Sequence, residues 1–391
     1  MSIQNKKIAI VGGGPGGLTL ARLLQLKGAD VKVYERDSSK DVRVQGGALD
    51  LHAESGLAAL TKANLMDEFK AHYRPGAELM RIVDSQAKIY LDEHTNSPRH
   101  TENPTQNFGD EQYRPEIDRG ELRDILLNSL QPDTVVWDRH ILSIERGQDD
   151  WKLIFHNGHS VIADIVIGAD GANSKIRPFV TNIKPFWTGI MMIEGSIKDA
   201  VTTAPVIHQL LKGGKIFAFG NEKAVIVSSK GDGSFGFSTS FHSEEDWVRN
   251  SGIDFRDNKA LLAWFKKEFS EWDSVWHELF ASETTLFIPR PQYCMPLDQK
   301  WTPQPNITLI GDAAHWMPPF AGEGVNMAML DALQLSEALT DPAFSTTQAA
   351  IANYEQGMFK RFAEIGKDTL FNTQWMHSRS ALNDMLALFS H

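Results

Sequence analysis

Apolar residues run without interruption from Ile8 to Val11, give way to a glycine turn, and recur at helical spacing from about Pro15 to Leu26 before a second strand ending at Tyr34-Glu35. With the first strand counted from Lys7, this order predicts a βαβ unit. A second helix is predicted over Arg119 to Leu130, where Asp118 precedes the periodic positions and Glu121 lies three further on, an approximate capping box. It leads into a strand from Thr134 to Trp137. Ile141 to Glu145, Trp151 to Phe155 and Ser160 to Ile167 then read as consecutive strands, the last entering Gly168-Ala169-Asp170-Gly171. Between about 180 and 300 the β segments lengthen, as in Lys215 to Phe219, Ala224 to Ser228 and Ser234 to Phe241, with glycine turns between them. Asn306 to Ile310 is one more apolar strand, entering Gly311-Asp312, and helical spacing from Ala349 to about Ser378 predicts a closing helix pair.

The expected fold is α/β. A Rossmann-like domain carries the first glycine turn and is built from residues 1–72, 101–178 and 295–342. A sheet-based substrate domain comprises 73–100 and 179–294, and a helical segment over 343–391 closes the chain. At 391 residues there is room for two packed cores. Hydrophobic residues at 42% and charged residues at 23% are ordinary globular usage, so neither a disordered nor a fibrous class is favoured. A formal net charge of −11 speaks against nucleic acid as a partner. The opening segment is too short in apolar residues for a secretory signal or a membrane span, which points to a cytoplasmic protein, expected to be a monomer. Cys294 is the single cysteine, so no internal disulfide or CxxC motif exists and redox chemistry must come from a bound cofactor. The 13 histidines show no HxxxH or HExxH spacing, and no metal site is inferred.

The chemistry begins at Gly12, Gly14 and Gly17, a GxGxxG between strand and helix, extended by Pro15 and Gly16. The first glycine allows the tight turn, the second lets a pyrophosphate approach the backbone, and the third lets helix and strand pack closely. The helix N-terminus adds free N–H groups and a positive dipole end for phosphates. Glu35 stands 18 residues after Gly17, near the roughly 20-residue spacing at which an acid meets a ribose. A plain nicotinamide enzyme has no use for the second turn, Pro318-Pro319-Phe320-Ala321-Gly322-Glu323-Gly324-Val325-Asn326. There Asp312 suits ribityl or ribose hydroxyls. The Gly322 to Asn326 turn brings N–H groups and a helix N-terminus to a ring that becomes anionic when reduced. His315 either influences protonation there or is simply held by packing.

Gly12-x-Gly14-x-x-Gly17 with Glu35-Arg36, Gly168-Ala169-Asp170-Gly171 with Ser174 and Arg177, and Gly311-Asp312-Ala313-Ala314-His315 together resemble the aromatic-hydroxylase (class A) group of FAD-dependent monooxygenases. Within that group the chain looks most like the tetracycline-inactivating flavin monooxygenases. That likeness rests on Tyr34-Glu35-Arg36-Asp37, Gly46-Gly47-Ala48-Leu49-Asp50-Leu51-His52, Leu122-Arg123-Asp124-Ile125-Leu126-Leu127-Asn128-Ser129-Leu130 and Met317-Pro318-Pro319-Phe320-Ala321-Gly322. The resemblance implies FAD, with Asp50, Arg119 and Asp312 among its contacts, Arg123 and Asp170 in the same set, and Arg43 near the nicotinamide of an NADPH reductant. Glu194, Lys215, Gly236, Pro319, Asn372 and Met376 would line the substrate pocket. Around Glu194, Lys215 and Gly236 the polar and basic residues of the drug-modifying relatives are not found, whereas Asn372 and Met376 fit.

The expected activity is a single-component monooxygenase that takes a small aromatic or polyketide-like molecule and O2, with tetracycline as one candidate substrate. The alternatives are a hydroxylase of another aromatic compound, a flavin dehydrogenase or reductase on the same scaffold, and a non-catalytic FAD-binding protein. No side chain is assigned as acid or base, because the flavin C4a position carries the oxygen chemistry. A second GxGxxG is absent, so NADPH is expected to dock transiently rather than in a domain of its own.

Overall fold

The computed structural model describes residues 3, 5–42, 47–96, 108, 113–283 and 285–389. Five parallel strands form the first sheet, in the order Ile307–Leu309, Ile165–Gly168, Lys7–Val11, Asp30–Tyr34 and Val135–Val136. Ile8, Ala9, Ile10 and Val11 are all buried, as both faces of a parallel sheet require, which explains the unbroken apolar run at the start of the chain. The Pro15–Leu26 helix covers one face. Gly17 lets it approach: a Cβ there would lie 2.2 Å from the Gly12 carbonyl oxygen.

Several boundaries differ from the sequence reading. The single strand expected from Ser160 to Ile167 breaks at Asp164. Ser160–Ala163 pairs antiparallel with Trp151–Phe155, whereas Ile165–Gly168 joins the parallel sheet. Asp164 turns the chain because its carboxylate accepts from Lys7 N at 2.7 Å and its own N–H donates to Lys7 O at 2.9 Å. The Arg119–Asn128 helix is shorter than expected and its capping box does not form. The Asp118 carboxylate instead accepts from Arg74 Nη1 at 3.1 Å and Gly231 N at 2.7 Å, so a tertiary contact displaces the local one. At the end of the chain the expected helix pair is one 30-residue helix, Thr347–Met376, followed by a short Ala381–Ala387 helix. The long helix begins at a side-chain cap, with Thr346 Oγ1 accepting from Ala349 N at 3.1 Å.

A seven-stranded sheet runs in the order Ile288–Cys294, Phe186–Ile197, Phe235–His242, Lys223–Ser229, Lys215–Gly220, Met80–Asp84 and Ile89–Asp92. Among the described strands of this sheet, only the pairing of Lys215–Gly220 with Met80–Asp84 is parallel. One face carries Ile216, Ala218, Val225 and Val227 into an aromatic core with Phe265, Phe269, Trp276 and Phe280. On the opposite face Phe217, Phe219 and Ile226 meet Phe320, Trp375 and Met376. The register sets Lys215, Ser228, Gly236 and Ser196 in one row across that second face, because side chains two apart share a side. The substrate-pocket candidates from the sheet therefore lie on the side turned toward the Pro318–Phe320 turn.

Two glycine substitutions should act with opposite sign. Gly17→Ala forces a Cβ onto backbone and is expected to destabilise by ~1–3 kcal/mol. Gly357→Ala, exposed in the long helix and facing only side-chain ends at 3.7 Å, should stabilise by ~0.5–1 kcal/mol. Urea midpoints that move in the same direction for both would contradict the packing account.

Candidate functional site

Four of the five parallel strands end in the segments that the sequence singled out. After Val11 the chain passes Gly12, whose φ of +112° and whose would-be Cβ, 2.2 Å from Ala169 O, exclude other residues. Gly14 differs: no protein atom lies within 4 Å of a Cβ built there. It is the N-cap of a helix with no side-chain cap and with Pro15 at its start, so its first N–H groups remain free for an anion. Gly16 packs this helix against the Gly324–Thr340 helix, its Cβ position 2.9 Å from Ala328 O. Glu35, buried after the second strand, accepts from Gly13 N at 2.6 Å and from Asp37 N at 3.1 Å, which fixes the acid against the glycine turn.

After the Ile165–Gly168 strand Asp170 accepts from Ser174 Oγ at 2.6 Å and Lys175 N at 2.7 Å. Burial pushes its carboxyl upward, and these bonds oppose the shift. Arg177 then donates to Ala313 O and Asp312 O, each at 2.7 Å, and so braces the turn after Ile165–Gly168 against the turn after Ile307–Leu309. Asp312 is exposed by area. Protein around it desolvates the carboxyl and raises it, against the attraction of His315, Arg119 and Arg177. His315 itself is buried, 2.6 Å from Asp331 Oδ2, and the same oxygen accepts from Gly311 N at 2.9 Å while Arg361 Nη2 binds Oδ1 at 2.7 Å. His315 is thereby a packed, bonded residue under the strand end.

The second turn is stitched to the short ladder of Ala48–Asp50 with Glu116–Asp118. Buried Asn326 donates to Asp50 O at 3.0 Å and accepts from His52 N at 3.0 Å. Gly322, at φ +71°, passes Asp50 so closely that a Cβ would sit 3.4 Å from both carboxyl oxygens. His52 Nε2 is 3.1 Å from Asp50 Oδ2, and its Nδ1 is 3.2 Å from Glu323 Oε1. Burial opposes charge on this ring, yet the bonds to Asp50 and Glu323 outweigh it and raise His52 to about 9. Asp50 is lowered: burial works the other way, but His52 and Lys215 prevail. Sequence reading missed the His52–Glu323 contact. The alternation Asp50-Leu51-His52, which puts both polar groups on one side of an extended segment, was the available signal.

The remaining candidates scatter. Arg119 stands in the first turn of its helix and acts on Asp312 electrostatically. Arg123 is buried, donating to Lys40 O at 2.7 Å with its guanidinium 5.4 Å from the Trp137 ring centroid, so it fixes the loop after Glu35. Arg36, Pro319 and Gly324 border solvent, whereas Val325 is half-buried. Arg43 lies outside the described residues. Glu194 is half-exposed and paired with Arg290 at 2.9 Å. Lys215 pairs with Glu116. Asn372 donates to Phe320 O at 3.1 Å, and buried Met376 packs beside Phe219 and Ile82. Two open surface depressions, beside Glu245 and Pro291 and beside Gln334 and Lys360, lie elsewhere and gather none of these groups.

Parallel strands whose ends carry a glycine turn, a ribose-type acid and two helix N-termini define an FAD-binding flavoprotein fold. A model of the FAD binding domain family matches residues 5–183 and 299–361, more than half of the chain, and the protein belongs to that family of FAD-dependent monooxygenases, the class A flavoprotein hydroxylases. Monooxygenase asqM of Emericella nidulans is 28% identical over 402 residues, covering 88% of this chain and 87% of its own. HpxO of Klebsiella pneumoniae, solved with FAD and uric acid, superposes with a TM-score of 0.75 at 21% identity over 99% of this chain and 93% of its own. The tetracycline destructase Tet(51) gives 0.72 at 19% identity over 98% and 93%.

Gly14→Asp should fold, since nothing crowds the position, yet purify without FAD because bulk and negative charge fill the phosphate approach; a fully yellow variant would sink the assignment. His52 yields a pH prediction. Its folded pKa lies above the ordinary 6.5, so its stabilisation is complete below about 6.5 and lost as pH rises through about 9. Urea midpoints of the wild type should fall across that window by the equivalent of a few kcal/mol at most, and those of His52→Asn should lack this component. Parallel curves for the two proteins would remove the clasp from the account.

Proposed function

We propose that the protein inserts one atom of O2 into a small aromatic or polyketide-like ring, with FAD as cofactor and NADPH as electron donor. The observation that carries this reading is a pair of uncapped helix N-termini, at Gly14 and Gly324, on helices that pack together at Gly16 and Ala328, with Glu35 bonded to Gly13, Asp50 against Gly322 and Asp312 next to Gly311. A dinucleotide with an anionic middle and a ring that turns anionic on reduction matches that layout. Gly12, Gly14, Pro15, Gly16 and Gly17 would cradle the pyrophosphate, with Glu35 at a ribose. Asp312, Arg119 and Asp50 would hold the stretch leading to the ring, and Pro319, Gly322, Gly324, Val325 and Asn326 the ring itself. Arg123 and Asp170 would act through the loops that they brace, and Arg36 and Arg43 on the nicotinamide side. Bound FAD supplies the redox chemistry.

The chain's own part is to orient and to exclude water. The apolar wall of Phe217, Ile226, Phe320, Trp375 and Met376 suits a flat ring, and Asn372 fixes the Phe320 turn that forms one side of it. Tetracycline and uric acid, named with two structural neighbours, are both ring systems with acidic groups, which supports the substrate class and makes tetracycline the first probe. The test follows NADPH and O2 consumption by the FAD-loaded protein with and without tetracycline, together with product mass. Substrate-dependent acceleration with a gain of one oxygen is expected for tetracycline or for a member of an aromatic panel. Electron transfer to an organic acceptor with no oxygen gained by any substrate would instead establish a dehydrogenase.

A further inference from the structure

Glu116 is a carboxyl group with no exposed surface, set directly opposite Asp50 by the short antiparallel ladder. Its Oε1 pairs with Lys215 Nζ, while Oε2 has no hydrogen-bond partner among the described residues. An idle carboxylate oxygen in a dry site is costly unless the group holds a proton or waits to receive one. Lys215 comes from the other sheet, on the face that also carries Phe217 and Phe219, and keeps about a fifth of its side chain exposed. Asp50 keeps a similar fraction and borders Gly322.

The charges around the pair come from every element packed against it. Burial pushes Glu116 up to about 7, with Asp50 adding to the rise and Lys215 and Arg74 opposing it. Burial acts against the Lys215 ammonium, but Glu116, Asp50 and Glu78 keep it charged. Asp50 is itself bonded to His52, which Glu323 faces from the second turn. Lys215 therefore stays a cation while the carboxyl beside it can change its proton near neutral pH.

We propose that Lys215 and Glu116 form a proton-accepting pair for a substrate with an acidic hydroxyl, a phenol or enol, on the ring to be oxygenated. Lys215 contacts the oxygen, and Glu116 is the positioning residue that stores the proton. This rests on reading the Phe217, Phe320 and Met376 face as the substrate wall. In the step, the substrate O–H bond breaks and its proton passes to Lys215 Nζ as Lys215 gives one of its own to Glu116. The ammonium is regenerated, the Glu116 carboxyl becomes neutral, and the electron pair stays on the substrate oxygen. No oxidant or reductant is consumed. With Glu116 ionised, Lys215 already faces the carboxylates of Glu116 and Asp50, and an ionised substrate would add a third anion. Moving the proton to Glu116 removes one of the three. The ionised oxygen raises electron density on the ring carbons ortho and para to it, which makes them nucleophiles toward an electrophilic oxygen, and the fixed ammonium keeps the ionised form bound.

The test uses para-nitrophenol, whose phenolate is coloured and whose phenol is not, bound to the FAD-loaded wild type, E116Q, E116D and K215M. Difference spectra are taken from about pH 5 to 9, the range that spans the Glu116 transition. Wild type should bind the phenolate, with an ionisation midpoint about one pH unit below that of the free probe. At about pH 8, where Glu116 and the free probe are both ionised, binding to wild type and to E116D should take up a proton from the buffer, which Glu116 stores, whereas E116Q should bind the phenolate with no such uptake and K215M should weaken binding roughly tenfold or more. A wild type that binds only the neutral phenol, or none, or that binds the phenolate with no more proton uptake than E116Q, overturns the pair. NADPH-driven O2 consumption with the aromatic panel is followed in the same preparations. If consumption persists without the proton uptake, the pair fails and the oxygenase reading survives; uptake with no consumption leaves the pair standing and removes that reading.

Discussion

Everything at the strand ends depends on one steric constraint, the contact of three backbone segments around Gly12 and Gly17. The turn after Lys7–Val11, the turn at Ala169 after Ile165–Gly168 and the Pro15–Leu26 helix approach so closely that a methyl group at Gly12 would lie 2.2 Å from Ala169 O, and one at Gly17 equally near Gly12 O. This closeness aims the helix N-terminus at the crevice and brings Gly13 N within 2.6 Å of Glu35. Arg177 extends the same brace to the Asp312 turn, and buried Asp331 fixes that turn from below through Gly311 and His315. The residues left free by this scaffold, Gly14 and Asp312 above all, are those a cofactor could reach.

A second layer of order is electrostatic. The Gly322–Asn326 turn is held by a carboxylate, imidazole and carboxylate chain from Asp50 through His52 to Glu323, and Asp50 also feels Lys215 from the large sheet. That turn and the Lys215 face of the large sheet thus share one set of charges. A change of charge at either end must be felt at the other, because buried pairs are weakly screened. The linkage of His52, Asp50, Lys215 and Glu116 gives the protein a physical route by which substrate ionisation and the seating of the turn influence each other.

Much of the first layer was legible in the sequence. The apolar run, the glycines and Glu35 are local signals with fixed spacing, and the structure places Lys7–Val11 and Pro15–Leu26 at the expected residues. What stayed hidden comes from contacts between distant residues. His52 with Glu323, Lys215 with Glu116 and His315 with Asp331 carry no periodic signature, so neither helix nor strand patterning reports them. Asp118 shows the same effect in reverse: a local capping signal was present, but Arg74 and Gly231 took the carboxylate. The break at Asp164 was visible as one charge in an apolar run, yet only pairing with Lys7 turned it into a strand boundary.

The central claim is that one crevice seats FAD from the Gly14 helix end to the Gly322–Asn326 turn. A crystal structure of the FAD-loaded protein tests it most directly. The expected density has the pyrophosphate against Gly14 and Gly16, a ribose at Glu35 and the flavin ring beside Gly322 and Asn326. FAD bound elsewhere, or with its adenine end at the second turn, would contradict the assignment of both halves of the site.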